Sequence, residues 1–114
     1  MESTVAEFCA GRPEIVACYL CGSQAVGKTH PGSDIDLAFL LDSVVGRKEY
    51  FNIRMKYWAE LGGLLRKEID TIVLNDASDV LLGQVFAKGR VIYGANSGLQ
   101  DIDAFIRAIV GKFA

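Results

Sequence analysis

Histidine, cysteine, basic runs and long apolar stretches are all scarce in this sequence. A single histidine, His30, leaves too few ligands for a Cys/His zinc site. The three cysteines, Cys9, Cys18 and Cys21, are odd in number and lack a framework spacing. They read as reduced thiols in a reducing compartment. Cys18-Tyr19-Leu20-Cys21 does spell C-x-x-C, but it lies in an apolar, strand-like run rather than at a helix start. Residues three apart on a strand point to opposite faces. Two small buried apolar side chains are therefore expected.

No basic cluster stands out and the formal net charge is −2, so the electrostatic footprint that grips a phosphate backbone is missing. Nucleic acid is not expected as the principal partner. The longest apolar run, Ile15 to Cys21, falls far short of the roughly 20 residues a membrane span needs. A basic flank followed by an apolar signal segment is also lacking. A cytoplasmic protein without membrane contact is the expectation. At 114 residues the sequence suits one domain over 1–114, too short for a catalytic domain plus a separate recognition domain. A large substrate would have to bring its own recognition surface. The balance of 51% apolar and 23% charged residues is that of a packed, soluble fold.

Periodicity and punctuation place the elements. A short helix is predicted over Thr4 to Ala10, ending before Gly11-Arg12-Pro13. Ile15 to Cys21 reads as a buried strand closed by Gly22, and Asp34 to Leu41 as a second strand. A helix follows over Gly46 to Leu61, with Phe51, Met55, Trp58 and Leu61 as its inward stripe and Gly62-Gly63 as its stop. Glu68 to Leu74 reads as a third strand. Ser78 to Lys88 reads as a helix with Leu81, Leu82, Val85 and Phe86 inward and Gly89 at its end, and Arg90 to Tyr93 as a short edge strand. Ser97 and Gln100 have capping-box spacing and open a last helix lined by Leu99, Ile102, Ile106, Ile109 and Phe113, widened by Phe105 and Val110.

The chemistry concentrates between Cys21 and Leu37. Gly22 to Thr29 fits the P-loop pattern G-x-x-x-x-G-K-[ST] letter for letter and follows a predicted strand. A P-loop must run straight into a helix whose first amides hold phosphate. Here Thr29 is followed by His30-Pro31-Gly32-Ser33 and then a strand, and Pro31 and Gly32 break such a helix at once. The length also leaves little room for the further βα units and distal carboxylate of that fold.

A second reading absorbs more residues. The first strand ends at Gly22-Ser23, a short helix covers Gln24 to Gly27, a loop runs through Lys28 to Gly32, and Ser33-Asp34-Ile35-Asp36-Leu37 opens the next strand. Asp34 and Asp36, two apart on a strand, project from one face about 7 Å apart at Cα, close enough to share a metal pair. Oxygen ligands and a phosphate-bearing substrate suit magnesium. This ordered combination resembles the signature of the DNA polymerase β-like nucleotidyltransferase superfamily, most closely its minimal nucleotidyltransferase family. Glu68-Ile69-Asp70-Thr71 and the later Gly89-Arg90-Val91-Ile92-Tyr93 extend the resemblance from Ile15 to Tyr93.

The resemblance implies an α+β nucleotidyltransferase fold, a small mixed sheet of three to four strands flanked by helices. It implies ATP as substrate and two Mg2+ ions held by Asp34, Asp36 and Asp70, with Asp70 as the third carboxylate beside the attacking hydroxyl. Gly22 lets the backbone approach a triphosphate, while the Ser23 hydroxyl and nearby amides can donate to its oxygens. Ser33 either supports the loop or touches phosphate. Lys28 is open between steadying pyrophosphate and simple solvation, and His30 has no assigned role.

Members of the minimal family commonly act as antitoxins beside a HEPN-domain toxin. The resemblance thus implies transfer of AMP to a tyrosine hydroxyl of such a partner. Two other readings stay open: an antitoxin or interaction module that neutralises by contact alone through the last helix, and a transferase acting on a small antibiotic-type molecule. That helix could equally serve a homodimer.

Overall fold

The computed structural model describes residues 1–21 and 35–94, apart from the Phe86 side chain. Chain order is α1 (Glu2–Ala10), β1 (Ile15–Cys21), β2 (Ile35–Leu41), α2 (Tyr50–Leu65), β3 (Ile69–Val73), α3 (Asp79–Lys88) and β4 (Arg90–Gly94). One-turn 3-10 segments precede α2 and follow β3. The four strands form one sheet in the order β3-β2-β1-β4. β1 runs antiparallel to β2 and to β4, whereas β2 and β3 are parallel. A parallel pair requires a crossover, and α2 supplies it.

β2 is buried along its whole length, which explains why its sequence turns continuously apolar instead of alternating with polar residues. Its odd positions, Ile35, Leu37, Phe39 and Leu41, pack with Val5 and Phe8 of α1 and Tyr57 and Leu61 of α2. Ala38 and Leu40 face the other side, where they meet Tyr19, Leu74, Leu82 and Val85 under α3. Cys18 belongs to the first cluster and Cys21 to the second, so the C-x-x-C pair splits across the sheet as expected. All three cysteines are free thiols.

α3 starts at Ser78, whose hydroxyl accepts from the Leu81 amide at 3.2 Å, a regular N-cap. It ends at Gly89, where a Cβ would stand 2.5 Å from the Val85 carbonyl oxygen. The 3-10 turn after β3 buries Asn75, whose Nδ2 donates to Leu41 O and whose Oδ1 accepts from Leu41 N, both at 2.8 Å. A side chain thereby completes the backbone pairing at the end of β2.

α2 departs from expectation in two ways. Its inward face carries Tyr57 and Leu61, flanked by Tyr50, Ile53 and Leu65. Phe51 and Trp58 are instead 66% and 48% exposed. Two apolar stripes run along this helix about a third of a turn apart, and the stripe with the tyrosines faces the sheet. Trp58 turns to the sheet edge, where its indole Nε1 donates to Ile69 O at 3.1 Å. The helix also passes through Gly62-Gly63 and ends at Arg66 in the left-handed conformation (φ 53°), so that residue, not the glycine pair, provides the stop. At the termini of other elements, α1 begins at Glu2 and β3 at Ile69, two residues and one residue from expectation, while the expected start of β2 at Asp34 lies outside the described residues. Among the described residues no helix is long and apolar enough to cross a membrane.

Candidate active site

Three residues form a row across the α3 side of the sheet. Cys21 on β1 is opposite Asp36 on β2, and Asp36 is in register with Asp70 on β3. Adjacent strands lie about 4.8 Å apart and side chains at paired positions share a face. The fold therefore sets the Asp36 and Asp70 carboxylates side by side. Asp36 is only 1% exposed, the single acidic residue on a strand otherwise made of apolar side chains. Burial, reinforced by the Asp36 carboxylate, pushes the Cys21 thiol up to about 11. That thiol stays protonated and unreactive at neutral pH.

Asp70 is held more openly. Its Oδ1 accepts from the Thr71 amide at 2.9 Å and from Arg54 Nη2 at 3.5 Å. Arg54 reaches across from α2, and its Nε donates to Thr71 O at 2.5 Å, while the Thr71 hydroxyl donates to Arg54 O at 3.0 Å. β3 is an edge strand, and its outward carbonyls at Ile69 and Thr71 are taken by Trp58 and Arg54, which blocks pairing by a further strand. Asp70 and Arg54 line a cleft of about 400 Å³ together with Tyr50, Phe51, Asp76 and Leu81.

The structure sets Asp36 and Asp70 in register on neighbouring strands. Asp34, Gly22, Ser23 and Ser33 lie outside the described residues, as do Lys28, His30, the short helix at 24–27 and the last helix. Among the described residues no group of three or more potential metal ligands occurs. Asp36 and Asp70 supply two hard oxygen donors on one face, a set that fits a small divalent cation retaining some of its waters. Arg54 was not marked by the sequence reading. The signal available was a cation amid the inward stripe of α2, between Ile53 and Tyr57, where a charge needs a partner.

A buried aspartate paired in register with a second one on a parallel neighbour, inside a β3-β2-β1-β4 sheet, is decisive together with one sequence match. The profile described as Polymerase beta, Nucleotidyltransferase matches residues 3–98. The chain belongs to this nucleotidyltransferase family. It is 31% identical over 93 residues to the protein adenylyltransferase MntA of Shewanella oneidensis, a match over 82% of this chain and 62% of that protein. The chain thus spans just under two thirds of this curated relative. A solved mutant of the MntA-HpeT toxin-antitoxin complex superposes with a TM-score of 0.69 at 26% identity, covering 99% of this chain and 85% of the other. A toxin-antitoxin structure with AMP-PNP gives 0.65 at 26% identity, covering 98% and 86%. The α+β nucleotidyltransferase fold with its mixed, four-stranded sheet is as the resemblance implied, within its range of three to four strands.

Proposed function

We propose that this chain, acting as a single domain over 1–114, transfers AMP from ATP to a hydroxyl group, a tyrosine of a HEPN-type toxin partner, as the antitoxin of the pair. The observation that carries the reading is the register of Asp36 with Asp70 on the α3 face of the sheet. The adenylyltransferase name of the relative and the AMP-PNP found with a similar toxin-antitoxin pair support the same direction.

In this reading Asp34, Asp36 and Asp70 would hold magnesium, two ions in all. Bound magnesium would polarise the α-phosphate and neutralise charge on the departing pyrophosphate. Gly22 and Ser23 receive the triphosphate, and Ser33 supports the loop or touches phosphate. The acceptor oxygen forms a bond to the α-phosphorus while the bond to the bridging oxygen of the β-phosphate breaks, and pyrophosphate leaves. Asp70, which lines the cleft, accepts the hydroxyl proton. Asp36 is fixed inside the strand, so its carboxylate needs no reorganisation at the moment of transfer. The acceptor is a protein that docks by its own surface, and the reaction takes place in the cytoplasm.

The test is incubation of the chain with co-purified partner, magnesium and ATP labelled in the α-phosphate. Label should appear on the partner, and should vanish when Asp36 is changed to Ala. Neutralisation of the partner that survives Asp36→Ala, with no label in either case, would replace the transferase reading by inhibition through contact.

A further inference from the structure

We propose that Arg54 is a positioning residue for nucleotide transfer, acting through Asp70. The inference rests on the reading of Asp70 as a carboxylate of the transfer site. Arg54 grips both sides of that residue. Its Nε donates to the carbonyl of Thr71, immediately after Asp70, and its Nη2 reaches Asp70 Oδ1. The return bond from the Thr71 hydroxyl to Arg54 O locks α2 and β3 at this one level. Thr71 is fully buried, so the backbone half of the clamp is shielded from water.

The consequence lies in which oxygen is engaged. Among the described residues both hydrogen bonds to the Asp70 carboxylate fall on Oδ1, from the Thr71 amide and from Arg54. A carboxylate pinned by one oxygen presents the other in a fixed direction, which leaves Oδ2 to take a metal ion or the acceptor proton. Arg54 suits this task because its planar guanidinium presents donors in a rigid fork, one prong to backbone and one to carboxylate. Lysine carries the charge without the fork. The Arg54 side chain is 41% exposed and lines the cleft, so a small cation can enter from solvent.

Arg54→Ala and Arg54→Lys, each assayed with the intact partner, test the proposal. Arg54→Ala should lower kcat roughly 10- to 100-fold, the range for loss of a group that orients a ligand carboxylate. KM for ATP should stay within about two-fold, because Arg54 acts on Asp70 and not on the residues read as receiving the triphosphate. Arg54→Lys should recover only part of the loss, and millimolar guanidinium should partly restore Arg54→Ala. Trp58→Phe is the structural control, since it removes the other bond to the β3 edge without touching Asp70, and it should keep the wild-type kcat. An Arg54→Ala enzyme with wild-type kcat overturns the proposal and leaves the transferase reading intact. A loss matched by Trp58→Phe at equal loss of melting temperature, without response to guanidinium, also overturns it. A wild-type chain that labels no partner overturns the transferase reading, and this proposal with it.

Discussion

Asp36, the metal ligand of the proposed function, is at odds with the strand that carries it. Every other side chain on β2 is apolar, and a carboxylate only 1% exposed carries a desolvation cost that its interactions must offset. Changing Asp36 to Asn preserves the shape and removes the charge. Asp36→Asn is expected to lower kcat by roughly 10³ through loss of several kcal/mol of metal-assisted stabilisation, while circular dichroism shows the fold intact. Lost activity in a chain that still folds separates a site residue from a structural one. Asp36 was legible from S-D-x-D-L spacing, because alternation fixes its face relative to Ile35 and Leu37. Asp70 needed more: its pairing with Asp36 depends on parallel register, which no local pattern in Glu68 to Leu74 encodes.

At the scale of elements, helices and strands were readable from periodicity, whereas the side of a helix that meets the sheet was not. Phe51, Met55 and Trp58 make as good an apolar stripe as Tyr50, Ile53, Tyr57 and Leu61. The choice is made by β3, an edge strand whose carbonyls require donors, and Trp58 and Arg54 carry the N–H groups that meet them. Trp58→Phe removes one such donor from a half-exposed site and should cost about 1 kcal/mol in denaturant unfolding. Asn75 is the sharper case. It sits in the short turn after β3 and closes the end of β2 by two hydrogen bonds to Leu41. Asn75→Ala strands a buried N–H and a buried C=O together, an expected loss of about 2–4 kcal/mol, measured by the same unfolding curves. Its sequence neighbourhood, Leu74-Asn75-Asp76, looks like an ordinary surface turn, because the partner is 34 residues away.

For the molecule as a whole, Tyr57 ties the first layer together. Its ring lies edge-on to Phe8 of α1 at 5.2 Å and tilted against Phe39 of β2 at 5.0 Å, and its hydroxyl donates to Glu14 Oε2 at 2.5 Å. Arg12 stacks over Phe8 and bonds Glu60 of α2, closing the same corner. Burial, followed by the hydrogen bond to Glu14 and that carboxylate's charge, drives the Tyr57 phenol well above the ordinary tyrosine range. On the opposite face burial, with Cys18 adding to it, pushes Tyr19 up to about 12. In the unfolded chain both phenols ionise near pH 10. From there upward the unfolded state has given up protons that the folded state still holds, so stability must fall as pH rises. The stabilisation is complete below pH 10 and declines above it, for Tyr19 until about pH 12. Tyr57→Phe removes one of these titrating groups together with the bond to Glu14. It should therefore lower the neutral-pH melting temperature yet flatten its decline between pH 9.5 and 11.5. An unchanged slope in a pH series of thermal melts would assign the alkaline sensitivity to Tyr19 and the buried thiols instead.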